Sequence, residues 1–218
     1  FYTPVGYETV TSTGNFFYSH AFTHQYFEPF THWGALASTP VNSCLTVRGG
    51  LVAGWDNLDD TSDKATFLGG MTWTSPDKNT SLNYHITIGE EAGLLKENSR
   101  IYQSIVYSHK LCDKLTSVTG SDLIWQNDGS FNNAGNPDDG EAYSVYQYLF
   151  YDINKCLSAG IRSEIARDDD NMRIVPIGAG PAALGLPGPF IDGSIFSSLT
   201  IGLNYKPFEN VRIRPELR

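Results

Sequence analysis

Residues 194–206 read SIFSSLTIGLNYK. Ile195, Leu199, Ile201, Leu203 and Tyr205 fall on one face, and Ser198, Thr200, Gly202 and Asn204 on the other. Successive Cβ atoms of an extended chain point to opposite sides, so such a segment is a strand with one apolar and one polar face. The device recurs. In 156–167, Leu157, Ala159, Ile161 and Ile165 oppose Ser158, Gly160, Arg162 and Glu164. In 80–90, Leu82, Tyr84, Ile86 and Ile88 oppose Asn83, His85, Thr87 and Gly89; in 211–218, Val211, Ile213 and Leu217 oppose Arg212, Arg214, Glu216 and Arg218. Ten candidate strands follow one another: 32–39, 44–54, 65–75, 80–90, 99–109, 114–126, 141–152, 156–167, 194–206 and 211–218. Segments 44–54 and 65–75 alternate less cleanly.

Length and connection decide what such strands build. Most approach the ~9–11 residues of a tilted membrane crossing, whereas ordinary strands average about 5–6. Their connections alternate between short (PVNS, PDKN, LCD, INK, PFEN) and long (55–65, 90–98, 127–141, 168–193). Short turns at one end and long loops at the other are the organisation of an outer-membrane barrel; a soluble sandwich mixes loop lengths at both ends. No apolar run reaches the ~20 residues a membrane helix needs. The pattern predicts an all-β, transmembrane, antiparallel up-and-down β-barrel, with 32–218 as its wall. Alternation alone also fits a soluble β-sandwich binding glycans through exposed aromatics. Trp33, Trp55, Trp73 and Trp125 lie near strand ends, as a membrane-interface girdle in a barrel or as core and edge in a sandwich.

Charge is sorted along the same lines. The formal charge is −9, which argues against a nucleic-acid partner. Most acids fall in the long connections, and Lys78, Lys110, Lys114, Lys155 and Lys206 mark the short-turn end. This predicts acidic extracellular loops and periplasmic turns. A lipid-facing Arg at mid-depth costs about 2–4 kcal/mol, so charged residues on the polar faces read as lumen: Arg48, Arg162, Glu164, Arg212, Arg214 and Glu216.

The first stretch, 1–34, does not alternate. It carries His20, His24 and His32 and is dense in aromatics from Phe16 to Phe30. It is too polar for lipid and too aromatic to hang free in water. Residues 1–31 are expected to be a strand end plus a loop folded into the barrel, with Tyr7, Glu8, His20, His24, Glu28 and His32 at the pore constriction. His20, His24 and Glu28, at i, i+4 and i+8, would share a helical face and are a weak metal candidate. Asp168, Asp169 and Asp170 are a weak Ca²⁺ candidate that lacks the EF-hand register. No cofactor is otherwise expected. Gly178-x-Gly180-x-x-Ala183 imitates a dinucleotide fingerprint, but Pro176 and Pro187 break the strand and helix that it needs. No GxSxG elbow is present, and Ser19 beside His20 is not a triad; no catalytic residue is assigned. Cys44, Cys112 and Cys156 form no CxxC; they read as free or buried thiols, or as one disulfide plus a free thiol. Phe1 opens and Arg218 closes inside apparent strands, so both ends read as incomplete.

Several segments resemble the OmpL-like β-barrel porin family of double-membraned bacteria: Pro4-Val-Gly-Tyr-Glu8, Asn15-Phe-Phe-Tyr-Ser19, Glu28-Pro-Phe-Thr-His32-x-Gly34, GWDN (54–57), FLGGMTWTS (67–75), QYLFYDINKCLSAGIR (147–162) and LNYKPFENVRIRPELR (203–218). The resemblance implies a passive outer-membrane channel for small polar solutes or ions, contacting outer-membrane lipids, with an early segment turned into the lumen. A full wall of ~14–18 strands, wide enough for an aqueous channel, is expected, and a homo-oligomer is plausible. The alternative within the same fold is a structural barrel that anchors envelope partners through its acidic loops.

Overall fold

The computed structural model describes residues 1–58, 64–92, 97–131, 137–174 and 193–218. The N-terminal segment holds a short 3-10 turn (Ser12–Gly14) and one helix, α1 (Phe22–Phe27). Strands follow: β1 (Gly34–Pro40), β2 (Leu45–Val52), β3 (Thr66–Thr74), β4 (Thr80–Ala92), β5 (Glu97–Cys112), β6 (Leu115–Phe131), β7 (Pro137–Asn154), β8 (Leu157–Asp168), β9 (Ser194–Phe208), β10 (Val211–Ile213) and β11 (Glu216–Leu217). Strands β1 to β10 pair in sequence order in one sheet, each neighbour antiparallel. The expected strand 211–218 is broken into β10 and β11, both on β9. Pro215 lies at the break; it has no amide for the ladder, and its carbonyl accepts from Leu203 N at 3.0 Å.

The two faces of this sheet are the reverse of a soluble protein's. On β9, Ile195 and Leu199 are 62% and 61% exposed while Thr200 is fully buried. On β8, Ile161 and Ile165 are exposed, and Arg162 between them is 0% exposed. On β6, Leu123 is exposed and Asp122 buried; on β7, Val145 and Leu149 are exposed and Ser144 buried. A continuous apolar face of this extent is not tolerated in water. With buried Arg, Asp and Glu on the opposite face, it describes a wall between hydrocarbon and a polar interior. A sandwich would bury its apolar faces between two sheets; the described strands form a single sheet with the apolar face outward. No helix among the described residues is long and apolar enough to cross a membrane.

Two of the four expected long loops are shorter than the sequence indicated. Segment 90–98 narrows because β4 runs to Ala92 and β5 starts at Glu97; segment 127–141 narrows because β6 runs to Phe131 and β7 starts at Pro137. These strands of 13 to 18 residues exceed the ~9–11 that a crossing takes. Their ends carry Glu90, Glu91, Asp128, Asp138, Asp139 and Glu141, which alternation in an apolar layer does not reveal but a ladder continuing into water accommodates. Asp59, Asp60, Asp63, Asp192 and the Gly178–Ala183 motif lie outside the described residues. Trp73 points outward, whereas Trp55 is buried inside against Tyr102, at 5.1 Å between ring centres. Cys44, Cys112 and Cys156 are all free thiols, near the short turns.

Candidate functional site

The N-terminal segment lies on the polar inner face of β6 to β9, and the side chains that place it there come from both sides. Glu8 is the centre. Its Oε1 accepts from Arg162 Nη1 at 2.8 Å and from the Tyr148 hydroxyl at 2.8 Å; its Oε2 accepts from the Ala21 amide at 2.9 Å and meets His20 Nδ1 at 3.0 Å. Burial alone would push this carboxyl up. The bonds from His20, Arg162, Ala21 and Tyr148 outweigh burial and hold it at about 2.

Arg162 also donates to Ser19 O (2.8 Å), Ser19 Oγ (3.1 Å) and Thr200 Oγ1 (3.2 Å), and lies 5.0 Å over the Phe17 ring. Register explains the convergence. Tyr148, Arg162 and Thr200 are lateral neighbours on β7, β8 and β9, so one row of inward side chains grips one turn of the segment. A second row follows: Glu164 accepts from Thr23 N (3.1 Å), Ser198 Oγ (2.5 Å) and Arg218 Nη2 (2.9 Å). In a third, glycine makes room. Gly160 and Gly202 face each other across β8 and β9, and a Cβ on Gly160 would come within 2.4 Å of the Phe16 ring.

The chain end adds further grips. Glu216 accepts the Tyr18 and Ser19 amides at 2.9 and 3.0 Å; Arg214 donates to Ser12 O (2.7 Å) and Asn15 O (3.0 Å). Arg218 lies 3.6 Å from the Phe22 ring centre.

Helix α1 is six residues long, too short to persist unsupported. It ends at Glu28 because the residue before Pro29 is pushed into extended backbone, at φ −103° and ψ 146°. Thr23, His24 and Phe27 are buried against the wall. His24 Nδ1 meets Glu28 Oε2 at 2.7 Å. Burial drives both towards neutrality, lowering His24 and raising Glu28 well above the carboxylate range, the latter reinforced by the charges of Asp122, Glu8 and Glu164. Gly6 passes over this pair at φ +77°, where a Cβ would lie 2.1 Å from Glu28 Oε2; only glycine takes that conformation and that contact without strain. His32 is enclosed between Thr3 Oγ1 and Gly54 O, each 3.1 Å from a ring nitrogen. Burial, the larger influence, lowers its basicity.

The expected constriction residues thus divide. Glu8, His24, Glu28 and His32 are buried between segment and wall; their hydrogen bonds hold the segment. Tyr7 is partly exposed, 4.8 Å from the Tyr148 ring centre, and His20 is half-buried. The expected lumen residues divide as well. Arg162, Glu164, Arg214 and Glu216 meet the N-terminal segment, Arg48 stands elsewhere on the inner face, and Arg212 is exposed on β10.

His20 and Glu28 fall outside the helix that would have aligned them with His24, and His20 Nδ1 is taken by Glu8. Asp168 accepts the amides of Met172, Arg173 and Ile174 at 2.9, 2.6 and 2.7 Å; Asp169 pairs with Arg167; Asp170 accepts the Glu141 amide at 2.9 Å. Among the described residues no group of three His, Cys, Asp or Glu side chains is placed to hold a metal. Sequence reasoning missed Tyr148, Ser19 and Asp56. Asp56 clamps the Phe30 and Thr31 amides at 2.9 and 2.6 Å. For Tyr148 the signal was its inward parity beside Arg162.

No curated protein and no solved structure matches the chain. A family model does, over residues 1–218, and its description is Putative beta-barrel porin-2, OmpL-like. An inverted sheet with its charge inside, and a match that runs the whole length, place this chain in the OmpL-like family of β-barrel porins of the bacterial outer membrane.

Proposed function

We propose that the protein is a passive aqueous diffusion channel for small polar solutes or ions, narrowed by residues 1–31, with no covalent chemistry of its own. The observation that carries this reading is the docking of the segment by Glu8 and Arg162, both buried, on the polar face of the wall. A buried charge pair stripped of one partner is strongly destabilised, so the segment is held in place. Held there, it covers the inner face of β6 to β9 and, through Val5 and Phe27, packs with Val52, Leu68 and Trp55 as well; the polar face around Arg48, Thr72 and Asn83 is only half-buried and is left for water and solutes. Selectivity then follows from width, fixed charge and hydrogen-bonding groups. The acidic loops would face outward and the short turns the periplasm; loop-bound Ca²⁺ and a homo-oligomer are compatible additions to the same proposal.

Planar-bilayer recording with purified protein tests it. Stepwise, ohmic conductance is expected. Complete silence at high protein and salt would overturn the channel and favour a structural barrel whose interior is filled.

A further inference from the structure

On the inner face of β2, Arg48 differs from three other arginines that face inward. Arg100, Arg162 and Arg218 each approach a carboxylate: Glu91 at 3.9 Å, Glu8 at 2.8 Å and Glu164 at 2.9 Å. Among the described residues Arg48 has none. Its Nη1 lies 2.9 Å from His85 Nε2 and its Nη2 3.3 Å from Thr72 Oγ1, while Thr72 Oγ1 donates to Asn83 Oδ1 at 2.7 Å. An arginine is always a cation and carries five N–H donors. For His85 Nε2 to accept from it, the imidazole must be neutral, with its proton on Nδ1. The frame around Arg48 is therefore uncharged, and it uses two of the five donors.

The strand register makes this arrangement. Arg48, Gly70 and His85 are lateral neighbours on β2, β3 and β4. Gly70 presents no side chain between the other two; a Cβ there would lie 2.5 Å from the His85 ring. The guanidinium reaches across the glycine to the imidazole and is fixed, half-buried, on the polar face. A fixed, water-reachable guanidinium with free donors and no counter-charge is a recognition element for oxyanions, which accept from its fork in two places.

Resting on the channel reading above, we infer that Arg48, framed by His85, Thr72 and Asn83 across Gly70, is an anion-binding subsite on the half-buried polar face of β2 to β4. It would take small oxyanions of the carboxylate or phosphate type. It would give the channel a local preference for anions although the chain as a whole is acidic, with a formal charge of −9.

Two measurements on the full chain test this, comparing wild type with Arg48→Gln and Arg48→Lys. The first is titration of detergent-folded protein with inorganic phosphate and, separately, acetate, read by calorimetry. Removing the charge is expected to weaken binding about fivefold or more, with Arg48→Lys intermediate; the preferred anion tells tetrahedral from planar recognition. The second is the reversal potential in a salt gradient, where Arg48→Gln is expected to lower the anion-to-cation permeability ratio by about twofold at similar conductance. Equal phosphate and acetate titrations for wild type and Arg48→Gln, or no binding by either, would overturn the subsite whether or not the protein conducts. Anion binding lost in Arg48→Gln, in a protein silent in bilayers, would keep the subsite and overturn the channel.

Discussion

Two stretches of the same inner face use arginine in opposite ways. On β8, Arg162 is fully buried, shares Glu8 with Tyr148, and is capped by Ser19 and the Phe17 ring. On β2, Arg48 is half-buried and touches only neutral partners, His85 and Thr72. The residue type and the inward parity are shared; what differs is the counter-charge and the cover. A guanidinium with a carboxylate and a lid is a fastening. One with a neutral frame and open water is a contact offered to something passing. The interior arginines thus stand in two settings: covered by the N-terminal segment on β8, and half-buried beside Thr72 and Asn83 on β2.

The largest effect is expected from breaking the fastening on one side only. Arg162→Met leaves Glu8 buried with its hydroxyl, amide and imidazole partners but without its cation. A loss of about 3–5 kcal/mol is expected, read as protease cleavage within residues 9–19 at temperatures where the wall still resists. Next is acid. The folded Glu8 carboxyl sits at about 2 against an ordinary 4.5. Its stabilisation is full above pH 4.5 and is lost as pH falls through 2, about 3 kcal/mol in all. Protection of residues 9–19 should therefore fall across that window, and Glu8→Gln should remove the dependence. Glu28 has the opposite sign. Because burial raises it, its contribution is greatest below pH 4.5 and weakens as pH rises, so the α1 end should not loosen in acid. Third, Gly160→Leu drives a side chain into Phe16, with an expected cost of about 1–3 kcal/mol in the melting of the segment. Smallest is Arg48→Gln, which loses bonds to neutral partners worth about 1 kcal/mol of stability. Its effect belongs instead to anion selectivity. A large loss of stability in Arg48→Gln would erase the contrast between the two arginines.

Much of the wall was legible in the sequence because period-two alternation is a backbone property. Strands from 80–90 to 194–206 matched within a few residues. Their outer ends did not, since beyond the apolar layer both faces can be polar and Asp138 or Glu90 carries no parity signal. The break at Pro215 was legible in principle from its missing amide. The candidate site was half legible. Glu8, His24 and Glu28 were singled out by type, but their direction depended on contacts between positions more than a hundred apart, such as Glu8 with Tyr148 and Arg162. No local spacing encodes those. The contrast between Arg48 and Arg162 was invisible for the same reason: both are inward arginines on alternating strands, and only the fold shows that Glu8 reaches one of them.

The most direct test of the central claim is the single-channel conductance of wild type against the Glu8→Ala plus Arg162→Met double variant, which removes the fastening without leaving either charge buried alone. A segment docked inside the lumen by this pair predicts a larger, flickering conductance in the variant. Identical, equally quiet conductance from both proteins would contradict it.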